Sequence, residues 1–382
     1  MKQIFSLLVI ALLCSACMAP GNVKKVSEDH RHWLLSGEAL ADVDTQDFVI
    51  PEERVLYLNR EMREYAKKAV SGYKGRDKVK ALLESILFPS GLDLKYDAKA
   101  SFTAEEVFRH GRANCLSFTN LYIAMGRYVG MDVQYNEVNV PAIWDLRHGK
   151  TLVLNKHVNA VITRLGGIRH VIDLNVAEFE IHYEQSPISD RLAVAQHYNN
   201  KAMGYLVSGE HVNALRFLVK AISLEPQVSY FWNNLGSLYR RAGNIEAAEL
   251  SYLIALAEDS GDLVAISNVA RLYDKIGNNE LAAYYEKKAH YYRLRNPYFL
   301  YGMAQKAFAD KDYDLARKHA SKAIRRYDKE HRFYFLLGAI YQQMGDSELA
   351  DVNFNKALEL SDDNEQQARY RTKIERISSI SS

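Results

Sequence analysis

Ala214, Ala248, Ala282, Ala316 and Ala350 stand 34 residues apart, and Ala221, Ala255, Ala289, Ala323 and Ala357 repeat the same step seven residues later. Gly209, Gly243, Gly277 and Gly345 form a third series, broken at Lys311. Tyr205, Tyr239, Tyr273 and Tyr341 form a fourth, broken at Ala307. Few folds satisfy such a period. Each copy is one small unit that cannot bury an apolar face alone, so neighbours must stack to make a core. Two helices of about 12–14 residues with short turns fill the period. The alanines mark places where helices cross closely and no larger side chain fits, and the glycines mark the turns.

Trp232, Leu235 and Gly236 add early large and small positions to the second unit. The pattern resembles the tetratricopeptide repeat, about five units over residues 195–364. Residues 365–382 are expected to form a capping helix and tail. The resemblance implies an all-α solenoid whose concave face binds a protein or peptide segment. Tyr230, Asn233, Asn234, Tyr239, Asn268 and Tyr273 are the residues expected on that face.

The first residues read as an export leader. Lys2 supplies a positive charge, Ile4 to Leu13 is almost wholly apolar, and Ser15-Ala16 precedes Cys17. The apolar run is far shorter than the roughly 20 residues of a membrane-spanning helix. Leu13-Cys14-Ser15-Ala16-Cys17 resembles a bacterial lipobox, with Cys14 where leucine is usual. That resemblance implies a lipoprotein signal peptide over 1–16 and lipidation of Cys17. With Met18 following the cysteine, it also implies an outer-membrane anchor facing the periplasm. Residues 17–48 are then expected to be a tether. An ordinary cleaved signal is the alternative.

Beyond the leader, charge and motifs exclude more than they suggest. The chain carries 49 basic and 47 acidic residues, a formal charge of +2, without the clustered Lys and Arg of a nucleic-acid footprint. His148, His170, His182 and His197 lack metal-ligand spacing, and no phosphate-cradling glycine loop occurs. Neither metal nor cofactor is expected.

Beyond Cys17 the chain keeps a single cysteine, Cys115. An exported protein meets oxidising conditions, where an unpaired thiol is a liability unless it has work to do. Residues 50–90 read as two helices, the first starting near Pro51. Thr103-Ala104-Glu105-Glu106 reads as a capping box, and Asn114 can cap the helix that carries Leu121, Tyr122, Met125, Tyr128 and Val129 on one face. Cys115 then lies in the first turn, where the helix dipole favours a thiolate, with Arg109, His110 and Arg112 nearby. Downstream, Val158, Ala160 and Ile162 alternate with polar residues, as do Ile172 and Leu174, and a hairpin joins the two runs. A three-residue loop of Leu165-Gly166-Gly167 pairs Asn159 with Asp173 and puts His157 on the same face, one pair away. It also gathers the apolar residues on the other face, so the apolar pattern selects the register that lets Asp173 reach His157.

Cysteine at a helix start, then histidine and aspartate on successive strands, resembles the transglutaminase-like branch of the papain-like fold. The resemblance runs over about 100–178. It is carried by Thr103-Ala104-Glu105-Glu106, Gly111-Arg112-Ala113-Asn114-Cys115-Leu116-Ser117, Met125-Gly126-Arg127-Tyr128-Val129-Gly130-Met131, His157-Val158-Asn159-Ala160 and Ile172-Asp173. Ala113 departs from the glycine that bacterial relatives often carry. The resemblance implies an α+β domain over 49–190, with N-terminal helices and an antiparallel sheet. It also implies Cys115 as nucleophile, His157 as base and Asp173 as orienter. Asn114 and Trp144 are candidates for an oxyanion or pocket role.

Two functions remain open at this level. One is acyl transfer by a cysteine enzyme on amide or peptide bonds, with hydrolysis favoured over cross-linking. The other is a non-catalytic lipoprotein adaptor whose repeats bind the partner.

Overall fold

The computed structural model describes residues 24–40, 48–139, 143–145, 151–153, 156–163, 169–174, 183–361 and 364–380. Cys17 and its lipobox, the Leu165-Gly166-Gly167 loop, His148 and His182 lie outside the described residues. The described chain forms two compact units. One joins the residues up to 51 with 198–291; the other joins 52–197 with 292–380. The repeat array, expected as one body over 195–364, is thus divided between them.

The first unit holds a correction to the tether. Residues 28–36 form helix α1 (Glu28–Ser36). Ser27 caps it, accepting from His30 N at 3.2 Å while the His30 ring accepts from Ser27 N at 3.0 Å. Gly37 ends it in the left-handed region, with φ of 95°. A tether stays solvated; here Leu34 is wholly buried. Lys24 pairs with Glu249 at 3.0 Å, and Arg31 with Glu258 at 2.9 Å.

In the second unit, α2 (Arg60–Ala69) and α3 (Gly75–Leu87) start later than Pro51 suggests. Asn59 is the cap, accepting from Met62 N at 3.0 Å. Val55 is buried ahead of the helix, and its carbonyl accepts from Ala104 N at 2.9 Å. A short parallel pair, β1 (Lys95–Tyr96) and β2 (Arg112–Ala113), flanks α4 (Ala104–His110). Thr103 and Glu106 close the capping box of α4. Helix α5 (Cys115–Tyr128) buries Phe118, Leu121, Tyr122 and Met125.

These side chains share one core with Tyr135, Val158, Ala160, Ile162 and Ile172. The strands are β3 (Gln134–Asn139), β4 (Ile143–Asp145), β5 (Thr151–Val153), β6 (Lys156–Thr163), β7 (Arg169–Ile172) and β8 (Gln185–Ile188). Four of them make an antiparallel sheet in the order β7-β6-β3-β8. Ala160 pairs with Ile172 and Val161 with Val171, the register in which Asn159 stands opposite Asp173.

The repeats follow as α6 (Asp190–Val207), α7 (His211–Leu224), α8 (Ser229–Ala242), α9 (Ile245–Glu258), α10 (Leu263–Lys275), α11 (Asn279–Arg293), α12 (Pro297–Ala309), α13 (Tyr313–Arg326), α14 (His331–Gln343), α15 (Ser347–Leu360) and α16 (Asn364–Ile380). The alanines of both series are fully buried except Ala282. Gly236 faces Tyr252, where an added Cβ would meet the ring at 2.6 Å. Lys311 breaks the glycine series in identity but not in conformation: its φ is 62°, beside 77° at Gly277 and 82° at Gly345. On α16, Tyr370 stacks on Phe335 at 4.3 Å and bonds the His331 ring at 2.6 Å. Among the described residues no helix is long and apolar enough to cross a membrane.

Candidate functional site

Asn114 opens α5, its side chain accepting from Ser117 N at 2.8 Å. Cys115 is the first residue of that helix, at the positive end of its dipole. One turn on, the Thr119 hydroxyl lies 2.8 Å from the Cys115 carbonyl and 3.2 Å from the Val158 carbonyl. That hydroxyl ties the helix start to the beginning of β6, where His157 sits.

His157 Nε2 lies 2.5 Å from Asp173 Oδ2. With Nε2 so engaged, Nδ1 is the ring nitrogen left for the hydrogen bond between His157 and Cys115. Burial opposes charge on this imidazole. The hydrogen bond to Asp173, then the hydrogen bond and charge of Cys115, outweigh it and push His157 up to about 10. His157 and Asp173 are 2% and 5% exposed at their side chains, whereas Cys115 keeps partial access to solvent. The member that would meet a substrate is the accessible one.

Behind Asp173 stands an amide chain that the sequence reading did not anticipate. Asn159 Nδ2 donates to Asp173 Oδ2 at 3.1 Å, and Asn136 Nδ2 donates to Asn159 Oδ1 at 2.8 Å. A signal was present: asparagine is disfavoured in strands, yet Asn136 and Asn159 each stand inside a central strand.

The remaining candidates fare differently. Asn114 spends its oxygen on the helix cap and one amide N–H on Ser101 Oγ at 3.0 Å. Trp144 lies on β4, and its side chain lies outside what is described. Tyr239 and Tyr273 are 0% and 1% exposed, so their rings pack inside the repeats and do not face a partner. The Tyr273 hydroxyl donates to Glu249 at 2.6 Å. Asn233 and Asn268 are buried and bonded to each other at 2.8 Å, while Asn234 bonds Asn199 at 2.8 Å. Tyr230 and Asn234 keep partial exposure. His197 is buried against Glu53 at 2.7 Å. Among the described residues no group of three or more His, Cys, Asp or Glu is gathered as a metal site.

Tetratricopeptide-repeat family profiles match residues 232–264 and 331–364, so the chain carries tetratricopeptide repeats. A search of curated proteins found no match. Among solved structures, MamA from Desulfovibrio magneticus RS-1 is 19% identical, covering 45% of this chain and 96% of its own, with a TM-score of 0.26. YrrB, described as a TPR protein with an unusual peptide-binding site, is 17% identical over 47% of this chain and 92% of its own, with a TM-score of 0.25. PilF of Pseudomonas aeruginosa is 16% identical over 50% and 90%, with a TM-score of 0.27. At these identities and scores the likenesses bear on no residue or activity of this chain.

Proposed function

We propose that Cys115, His157 and Asp173 perform thiol acyl transfer on amide or peptide bonds, in a transglutaminase-like domain over 49–190, and that the repeats bind a protein or peptide partner. The observation that carries this reading is the His157–Asp173 pair at 2.5 Å, with Cys115 hydrogen-bonded to the same ring. The Cys115 thiolate attacks the substrate carbonyl carbon. A C–S bond forms and an electron pair moves to the oxygen, which the Cys115 main-chain N–H at the helix start can stabilise. The His157 imidazolium gives its proton to the departing nitrogen as the C–N bond breaks. Water then attacks the thioester, His157 takes its proton, and the C–S bond breaks to release the acid. Hydrolysis is favoured over cross-linking because water needs no second binding site. Residues Leu13 to Cys17 support a lipid anchor on Cys17 at a periplasm-facing outer membrane.

The test is iodoacetamide alkylation of Cys115 near pH 7, read for wild type beside His157→Ala and Asp173→Asn. Slower alkylation in both variants supports the reading; equal rates in all three overturn it. A second reading, a non-catalytic adaptor, draws on both family matches lying within the repeats. It is the reading left standing if the rates are equal.

A further inference from the structure

Asn136 and Asn159 face each other across β3 and β6, and both are wholly buried. A buried amide costs free energy unless its groups are paired. Here the pairing has a direction. An ionised Asp173 can only accept, so Asn159 must turn its NH2 towards it. That leaves Asn159 Oδ1 facing β3, where Asn136 donates at 2.8 Å. The Asn136 amide nitrogen also reaches Gln185 Oε1 on β8 at 3.2 Å. The charge on Asp173 therefore sets the polarity of a donor chain that crosses the sheet. Asn159 and His157 meet on the same oxygen, Asp173 Oδ2, at 3.1 Å and 2.5 Å. A pair that only zipped two strands together would have no reason to end there.

From this geometry we infer that Asn159 is a positioning residue: it holds the Asp173 carboxylate in the orientation that grips His157, and Asn136 aims it. The inference rests on the proposed acyl-transfer reading of the same site. Asn159 acts through Asp173, to which its amide donates at 3.1 Å.

Asn159→Asp separates positioning from mere packing. Burial at this position and the adjacent Asp173 carboxylate both favour the protonated form of an aspartate at 159, which donates to Asp173 as the amide does. Once ionised, it loses the donor and sets a second negative charge against Asp173. The experiment follows alkylation of Cys115 in the full-length chain, mapped by mass spectrometry, from about pH 5.5 to about 8.5. The Asn159→Asp rate relative to wild type is expected to be about one at the acid end and to fall by about tenfold or more at the alkaline end. Asn159→Leu is slow throughout. A ratio that stays near one, or is equally low at both ends, overturns the inference; the second is what a structural role gives. Should Asn159→Asp fail to fold, Asn136 decides. Asn136→Leu is expected to be slow and Asn136→Ser, which keeps a donor, faster; equal rates overturn the inference. His157→Ala keeps the two ideas apart. If it reacts like wild type, the acyl-transfer reading fails and takes this inference with it. If it is slow while the Asn159→Asp ratio is flat, only the positioning role fails.

Discussion

Tyr239 donates its hydroxyl to the main-chain carbonyl of Leu34, 205 residues away in sequence. Asn244 Nδ2 adds a bond to the Ala39 carbonyl at 2.8 Å, and the Arg31 guanidinium lies over the Trp232 ring at 5.1 Å. Helix α1 is therefore held at Arg31 and Leu34 within it and at Ala39 just past its end. Truncating the wholly buried Leu34 to alanine should cost about 2–5 kcal/mol of docking, and Tyr239→Phe about 1 kcal/mol. Tryptic cleavage after Arg31 measures this directly. It should be much faster in Leu34→Ala; cleavage at the wild-type rate would show that the helix is not held by this contact.

Lys311 performs a glycine's task. Its N–H donates to Phe308 O at 3.0 Å and the next N–H to Ala307 O at 2.9 Å, as Gly277 and Asn278 donate to Asp274 and Tyr273. A left-handed conformation costs an L-residue about 1–2 kcal/mol, and glycine gives back about 0.5–1 in backbone entropy. Lys311→Gly should therefore stabilise its repeat by up to about 1 kcal/mol. A melting temperature below that of wild type would contradict the argument.

Glu330 is wholly buried, and Arg332 grips both its oxygens at 2.7 Å. Tyr298 OH adds a donor at 3.1 Å. Arg332 also reaches Tyr183 OH at 3.2 Å, so one guanidinium links the start of α14 to the segment that leads into β8. Arg332→Ala takes the guanidinium away from a buried carboxylate and should cost about 3–5 kcal/mol. Adding Glu330→Gln to that variant should restore much of the loss. Denaturation of the single and double variants checks this; a double variant no more stable than Arg332→Ala would refute it.

The parts of this molecule that were legible in sequence are those where one packing problem recurs or one local period decides. The alanine series declared the repeats because each copy meets the same helix crossing. The alternation of Val158, Ala160 and Ile162 selected the hairpin register because a one-residue slip would turn every side chain over. Helix α1 was illegible because Leu34 is the only residue in it that is buried, and its apolar residues stop at Trp33, Leu34 and Leu35, too short a run to show a helical period. Its partners lie more than 200 residues away. The Asn136–Asn159 pair was hidden for a related reason. It depends on how β3 registers with β6, which no hairpin joins directly, and no local periodicity reports that.

The charge on His157 makes the last prediction one of pH. Burial lowers its proton affinity, but the bond to Asp173 and the presence of Cys115 raise it from 6.5 to about 10. A histidine that binds its proton more tightly when folded stabilises the fold by an amount fully present below about pH 6.5. That contribution is lost as pH rises through about 10. Asp173→Asn removes the largest raising cause and leaves burial opposing the charge, so His157 should titrate lower. The stability gap between wild type and Asp173→Asn should be widest in mild acid and narrow in alkali. Urea denaturation across that range, with NMR of the labelled His157 ring, reads both quantities. A wild-type imidazole that titrates near 6.5, or a gap that does not change with pH, would contradict the charged pair.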